Sequence, residues 1–187
     1  MIKYLYETNP PPEGIYSGLR ALTVQNYTEA NVKNGVQFEG STILQIAGSA
    51  SNDTIFLTGN LPIALKARNI GFSGIGVSAY IYEGPAYTGG TPATYQNANA
   101  INPQNGLSQI IVGSTVTEDG TLVFAPTHSI GNESNQGKGA TASIVGGERI
   151  FKPNTAYLLR LISLDTQPQT VSSFLSWYEG ELDLPLI

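Results

Sequence analysis

The feature that most constrains this chain is an apolar pattern of period two, recurring in short runs. In GVSAYIYEG (76–84), Val77, Ala79 and Ile81 alternate with Ser78, Tyr80 and Tyr82. In IALKARNIGF (63–72), Ile63, Leu65 and Ala67 alternate with Lys66 and Arg68. Successive side chains of an extended strand point to opposite faces, so this alternation predicts strands with one buried face. Arg68 then belongs on the solvent side with Lys66. Further runs of the same kind are VQFEGSTILQIA (36–47), DTIFLTG (53–59), LSQIIVGSTVT (107–117), TLVFAPTHS (121–129), ATASIVG (140–146) and ERIF (148–151). Gly (21) and Pro (11) punctuate them, and only 12% of residues are charged. Strands at this spacing, about eight to ten of them, predict an all-β, antiparallel β-sandwich of jelly-roll type.

Two hairpins are expected. Glu118-Asp119-Gly120 lies between apolar runs, and Asp-Gly there is a strong hairpin signal. In PNTAYLLRLISLDTQPQTVSSFLSWYEGE (153–181), Tyr157, Leu159 and Leu161 share one face and Arg160 takes the other. DTQPQ (165–169) supplies a turn. Val171, Ser173, Leu175 and Trp177 share a face of the return strand, with Phe174 and Tyr178 opposite. Apolar residues on both faces predict a central strand, and Trp177 reads as a core plug.

The remaining segments divide the chain. Residues 1–18 carry Pro10, Pro11 and Pro12, which cannot donate to a ladder and favour extended chain, so they read as an N-terminal arm. Residues 19–180 read as the sandwich and 181–187 as a C-terminal tail. For 19–34, ALTVQNYT alternates while Leu19, Leu22, Tyr27 and Ala30 half fit a helical stripe; strand or irregular chain is the expectation, closed by a turn at Asn34-Gly35. Residues 84–106 and 130–140 are polar loops, the first with one short strand at TPATYQ. The first residues contain no apolar leader segment, and no apolar run reaches the ~20 residues of a membrane span.

The residues offer little chemistry. Cys is absent, which removes thiolate metal sites, disulfides and cysteine nucleophiles. The net charge is −5 with scattered Lys and Arg, unlike the clustered cations that bind nucleic acid. So low a charge content suits a surface covered by neighbours. Gly74 to Ala79 fits G-x-G-x-x-A formally, but strand follows where a dinucleotide site needs a helix. GNESNQGKGA (131–140) departs from a phosphate loop by one residue of spacing and has Gly139 where Ser or Thr belongs. His128 is the only histidine and lacks a G-x-S-x-G partner motif, so a structural role is the commoner one. Two acid pairs, Glu118 with Asp119 and Glu179 with Glu181, are the candidates for glycoside hydrolysis. The first sits in a turn, the second past a strand, and neither lies beside an aromatic cleft. No catalytic residue, metal ligand, cofactor or small-molecule substrate is expected.

YEGPAYTGGTPATYQNANAINP, then TVTEDGTL, then PNTAYLLRLISLDTQPQTVSSFLSWYEG resemble a class of small virion proteins of tailed bacteriophages. There a G-P-x-x-x-G-G-T-P loop and a T-x-x-x-G-T-L hairpin precede a terminal P-N-T-x-Y-L-x-R hairpin ending in W-Y-E. The resemblance spans roughly residues 80–180 and carries no catalytic signature. It implies a non-enzymatic capsid decoration or cement protein, bound to the major capsid protein and to sister copies as dimers or trimers. The place it implies is the capsid surface of a virion assembled in a bacterial cytoplasm, with no nucleic acid or membrane partner. Contact residues expected from their positions are Ile2, Tyr4, Leu5 and Tyr6 in the arm, Tyr87 and Tyr95 in the long loop, and Leu182, Leu184, Leu186 and Ile187 in the tail. The alternative is a carbohydrate- or receptor-binding module of a tail fibre or baseplate, with Tyr87 and Tyr95 stacking on sugars.

Overall fold

A computed structural model describes residues 27–131, 140–142 and 148–180. The arm, residues 19–26, the 132–139 and 143–147 segments and the tail lie outside the described residues. The first element of the described residues is a helix, where strand or irregular chain was expected: α1 (Tyr27–Lys33). Glu29 in its first turn pairs with Lys33 in its last at 2.6 Å, the favourable i,i+4 order. Asn34-Gly35 ends this helix. The Gly35 amide donates to the Val32 carbonyl and the Val36 amide to that of Asn31, which is a Schellman cap. Gly35 has φ of +71°, and a Cβ there would meet the Asn102 carbonyl. The dipeptide is therefore a helix stop, a role its turn-forming chemistry serves equally well.

The body is all β. Its long strands are β1 (Gln37–Ile46), β2 (Ser51–Leu57), β3 (Ile63–Phe72) and β4 (Gly76–Glu83). Short strands follow: β5 (Ala86–Thr88), β6 (Thr91–Ala93), β7 (Gln96–Asn97), β8 (Gln109–Val112), β9 (Thr115–Glu118), β10 (Thr121–Leu122), β11 (Thr127–Ile130), β12 (Ala140–Ala142) and β13 (Arg149–Phe151). Two long strands, β14 (Ala156–Ser163) and β15 (Gln169–Glu179), close the body. One sheet runs β12-β3-β15-β1-β7, with β13 also on β3. The other runs β10-β4-β14-β2-β8-β6, with β11 also on β4. Every pairing is antiparallel, and β5 with β9 makes a small separate ribbon.

The long strands change sheet at each of the connections β1–β2, β2–β3, β3–β4 and β14–β15. Neither expected hairpin exists. β14 pairs with β4 and β2, whereas β15 pairs with β3 and β1 in the facing sheet. Likewise β9 pairs with β5 while β10 pairs with β4, so Gly120, with φ of +81°, turns the chain between sheets. The crossover at 164–168 is fastened to the one at 73–75. Asp165 accepts from the Ile75 amide and Gln169 from the Gly74 amide, while Gln169 donates to the Gly76 carbonyl and to Ser163 Oγ. These contacts satisfy backbone groups that leave the ladders where the chain turns. β15 is central, as its two apolar faces predict.

The inner faces form two apolar clusters. One is aromatic: Trp177, fully buried, meets Phe38, Phe56 and Tyr95 at ring-centroid distances of 5.9, 5.3 and 5.0 Å. Phe151 stacks on Tyr157 at 4.2 Å in the same cluster. The other is smaller and mostly aliphatic, around Ile46, Ile70, Val77 and Val171. Between them lies a polar waist, which holds the largest departure from the sequence-based expectation. Arg68 is 3% exposed and points inward. The cause is a β-bulge: Trp177 faces Leu65 but Ser176 faces Ala67, so Lys66 is the extra residue. One inserted residue reverses every later side chain. Ile63 and Leu65 face inward before it, and Arg68, Ile70 and Phe72 after it.

Candidate functional site

The clearest candidate surface is the outer edge of β1. Gly40 to Ile46 pairs with Leu175 to Gln169 of β15 on one side. On the other side β7 reaches only Phe38 and Glu39. Among the described residues, no other strand pairs with that edge. Natural edges are ordinarily blunted by Lys, Pro, inward charge or a bulge. The segment GSTILQI carries no charge and no proline, and its Ile43 is 74% exposed. A bare edge of this kind offers backbone donors and acceptors to an added strand, with Ile43 as an apolar anchor.

The long loop is more structured than expected. It contains β5, β6 and β7, and its last part folds onto the helix cap. Asn97 Nδ2 donates to the Gly35 carbonyl at 2.6 Å and to that of Gln104 at 3.0 Å. Asn99 Nδ2 reaches the Lys33 carbonyl, while its Oδ1 accepts from the Ile101 and Asn102 amides. Two asparagine side chains thus build the loop from local turns. Ile101, 97% exposed, crowns it.

Of the expected contact residues, Tyr87 is half-buried on β5, opposite Val116. Tyr95 is not a loose loop side chain. Its ring packs on Phe38 and Trp177, and its hydroxyl donates to the Ser108 carbonyl at 2.7 Å. Burial, then the nearby Glu179 charge, raises its pKa. Ile2, Tyr4, Leu5, Tyr6, Leu182, Leu184, Leu186 and Ile187 lie outside the described residues.

The candidate acids have structural engagements. Glu179 is buried, at 4% exposure, and accepts from the Leu107 and Ser108 amides and from Trp177 Nε1 at 3.0 Å. It fastens the start of the β8 segment to the indole rather than standing free past a strand; its expected partner Glu181 is outside the described residues. Asp119 binds Arg160 Nη1 at 2.6 Å, and Asp53 takes Arg160 Nε and Nη2 at 2.8 and 2.9 Å. Glu118 is exposed on β9. His128 Nδ1 lies 2.8 Å from Ser78 Oγ, because the β11–β4 register sets the two directly opposite. Among the described residues, no three His, Asp or Glu side chains gather as metal ligands, and no helix is long and apolar enough to cross a membrane.

Sequence reasoning named Glu179 only as an acid past a strand and missed its role against the indole, and it put Arg68 on the solvent side. The signal for Glu179 was its spacing: two residues after Trp177, it must share the indole's face of the strand. The signal for Arg68 was a phase break, apolar residues falling at 63 and 65 and then at 70 and 72. Neither a family model nor a curated protein nor a solved structure matches the chain.

Proposed function

We propose that the chain is a structural protein of a tailed-bacteriophage virion, a capsid decoration or cement subunit that binds the major capsid protein and sister copies of itself. The observation that carries this reading is the β1 edge from Gly40 to Ile46, with which no strand pairs on its outer side among the described residues. An uncharged, proline-free edge with an exposed isoleucine needs a covering strand to stay out of aggregation. An extended arm from a neighbour supplies one, through backbone pairing and burial of apolar surface at ~25 cal/mol per Å². Two further points support it. The motifs between residues 80 and 180 resemble such virion proteins. Two facing antiparallel sheets, β3-β15-β1 and β4-β14-β2, suit this reading, since sandwiches of this class include the jelly rolls of viral capsids.

Particles carrying the chain test the proposal. Deletion of residues 1–12 is expected to reduce particle occupancy while the isolated domain keeps its unfolding midpoint. Ile43→Lys is expected to reduce occupancy through the acceptor edge. Normal occupancy in both variants, measured by gel densitometry and electron microscopy of purified particles, overturns it.

Sandwiches of this class also include lectins, which keeps a carbohydrate- or receptor-binding module of a tail fibre or baseplate as the second reading. That reading rests on Tyr87, since Tyr95 is held against the core. Glycan-array binding lost in Tyr87→Ala favours it over the first.

A further inference from the structure

We infer that the polar waist is a binding site for a small monocarboxylate, held by Arg68 inside the sandwich. A cavity of about 40 Å³ lies between the sheets at this level. It exists because small residues occupy inward positions there: Gly40 and Thr42 on β1, and Ser173 on β15. Thr42, Ser173 and Thr54, which carry hydroxyls, are among its lining residues, as are the apolar Ile110, Leu159 and Leu161. Exposed Ser41 and Thr94 also border the cavity, between β1 and the β6 side of the facing sheet.

Arg68 supplies the recognition. A guanidinium has five N–H donors in a planar fork that matches a carboxylate. Nη1 donates to the Tyr80 carbonyl at 3.2 Å and Nη2 to the Arg160 carbonyl at 3.4 Å, both across the sandwich. Nε has no acceptor among the described residues, although it is buried. No carboxylate pairs with Arg68 among them either. Burial chiefly, and then the like charge of Arg149 on β13, lower its pKa to about 9. A buried cation without a counter-ion is strongly unfavourable, so a carboxylate entering the cavity gains its full attraction.

Size and wall chemistry narrow the ligand. One water needs about 10–15 Å³ on this measure, so the space suits only a few non-hydrogen atoms. A planar carboxylate with a short alkyl end meets both the hydroxyls and the leucines, as acetate or propionate does. With so few atoms, affinity is limited to about millimolar. This inference does not depend on the virion reading.

The test follows the Arg68 Nε–H resonance of the ¹⁵N-labelled full chain, with thermal unfolding in parallel at constant ionic strength. Propionate at about 100 mM, roughly a hundredfold above a millimolar Kd, is expected to shift that resonance and raise the midpoint. Propionamide, the neutral isostere, is expected to bind at least about tenfold more weakly, since it lacks the charge-assisted pair. Thr42→Leu keeps Arg68 but fills the cavity, and is expected to lose the propionate response. An Nε–H signal unmoved by propionate, an equal response to propionamide, or an undiminished response in Thr42→Leu each overturns the assignment.

Discussion

The two levels of the sandwich interior are filled in opposite ways. Around Trp177 the space is occupied by interlocking rings, and the buried Glu179 there has three donors. At Arg68 the space is partly open, and the charged group has two carbonyls and no counter-ion among the described residues. Arg160, on the outer face of β14, sharpens the contrast. It holds two carboxylates, one of them bidentate, and Asp53's hydrogen bonds chiefly hold its pKa above the ordinary value. A packed, satisfied level fixes the fold. A loosely packed level with unmet donors is where a ligand gains most.

Trp177→Ala should break the packed level and give the largest effect. It removes a fully buried indole and leaves Glu179 without one of its donors, for an expected loss of ~3–5 kcal/mol. Urea unfolding of the variant measures it. A loss below about 1 kcal/mol, the scale of surface substitutions, would mean the rings do not carry the fold.

Arg68→Met should have a smaller effect of opposite sign. It replaces a buried charge with an apolar side chain of similar length, so in carboxylate-free buffer stability should hold or rise by up to about 1–4 kcal/mol. The pH dependence is the sharper readout. The folded chain releases the Arg68 proton near pH 9, while the unfolded chain keeps it to a markedly higher pH. Between those values the unfolded state binds more protons, so this residue's contribution to stability rises with pH. The advantage of Arg68→Met at pH 7 should therefore shrink between pH 8 and pH 11. Taking the difference between the two proteins cancels tyrosine ionisation, which both share. A gap constant over that range would place the Arg68 charge in water.

The contrast also marks what the residues could disclose. Period-two alternation located the long strands and placed Trp177 in the core, because burial on one face leaves a local pattern. Which sheet a strand joins leaves no such pattern. Residues 164–168 can join neighbours about 4.8 Å apart or facing sheets about 10 Å apart, so DTQPQ reads as either. The Asp119-Gly120 turn is ambiguous for the same reason. The bulge at Lys66 was legible as a change of phase between Leu65 and Ile70, yet Ala67 concealed it by fitting either phase. The outer β1 edge, unpaired beyond Glu39 among the described residues, could not be read at all, since exposure of an edge depends on how far β7 extends along it.

The smallest expected effect separates the outer arginine's two partners. Asp119 is about half exposed, and its bond to Arg160 sits at the protein surface, where such pairs contribute roughly 0–1 kcal/mol. Asp53 and Arg160 are both mostly covered and meet in a two-bond fork, so that pair should dominate. Asp119→Asn is expected to lower stability by no more than about 0.5 kcal/mol and to lose even that in 1 M salt. Asp53→Asn is expected to cost more and to keep most of its effect in salt, because screening weakens as charges are buried. Equal losses in the two variants would show that Arg160 is held by total charge. Unequal losses would show that it is held by the fork.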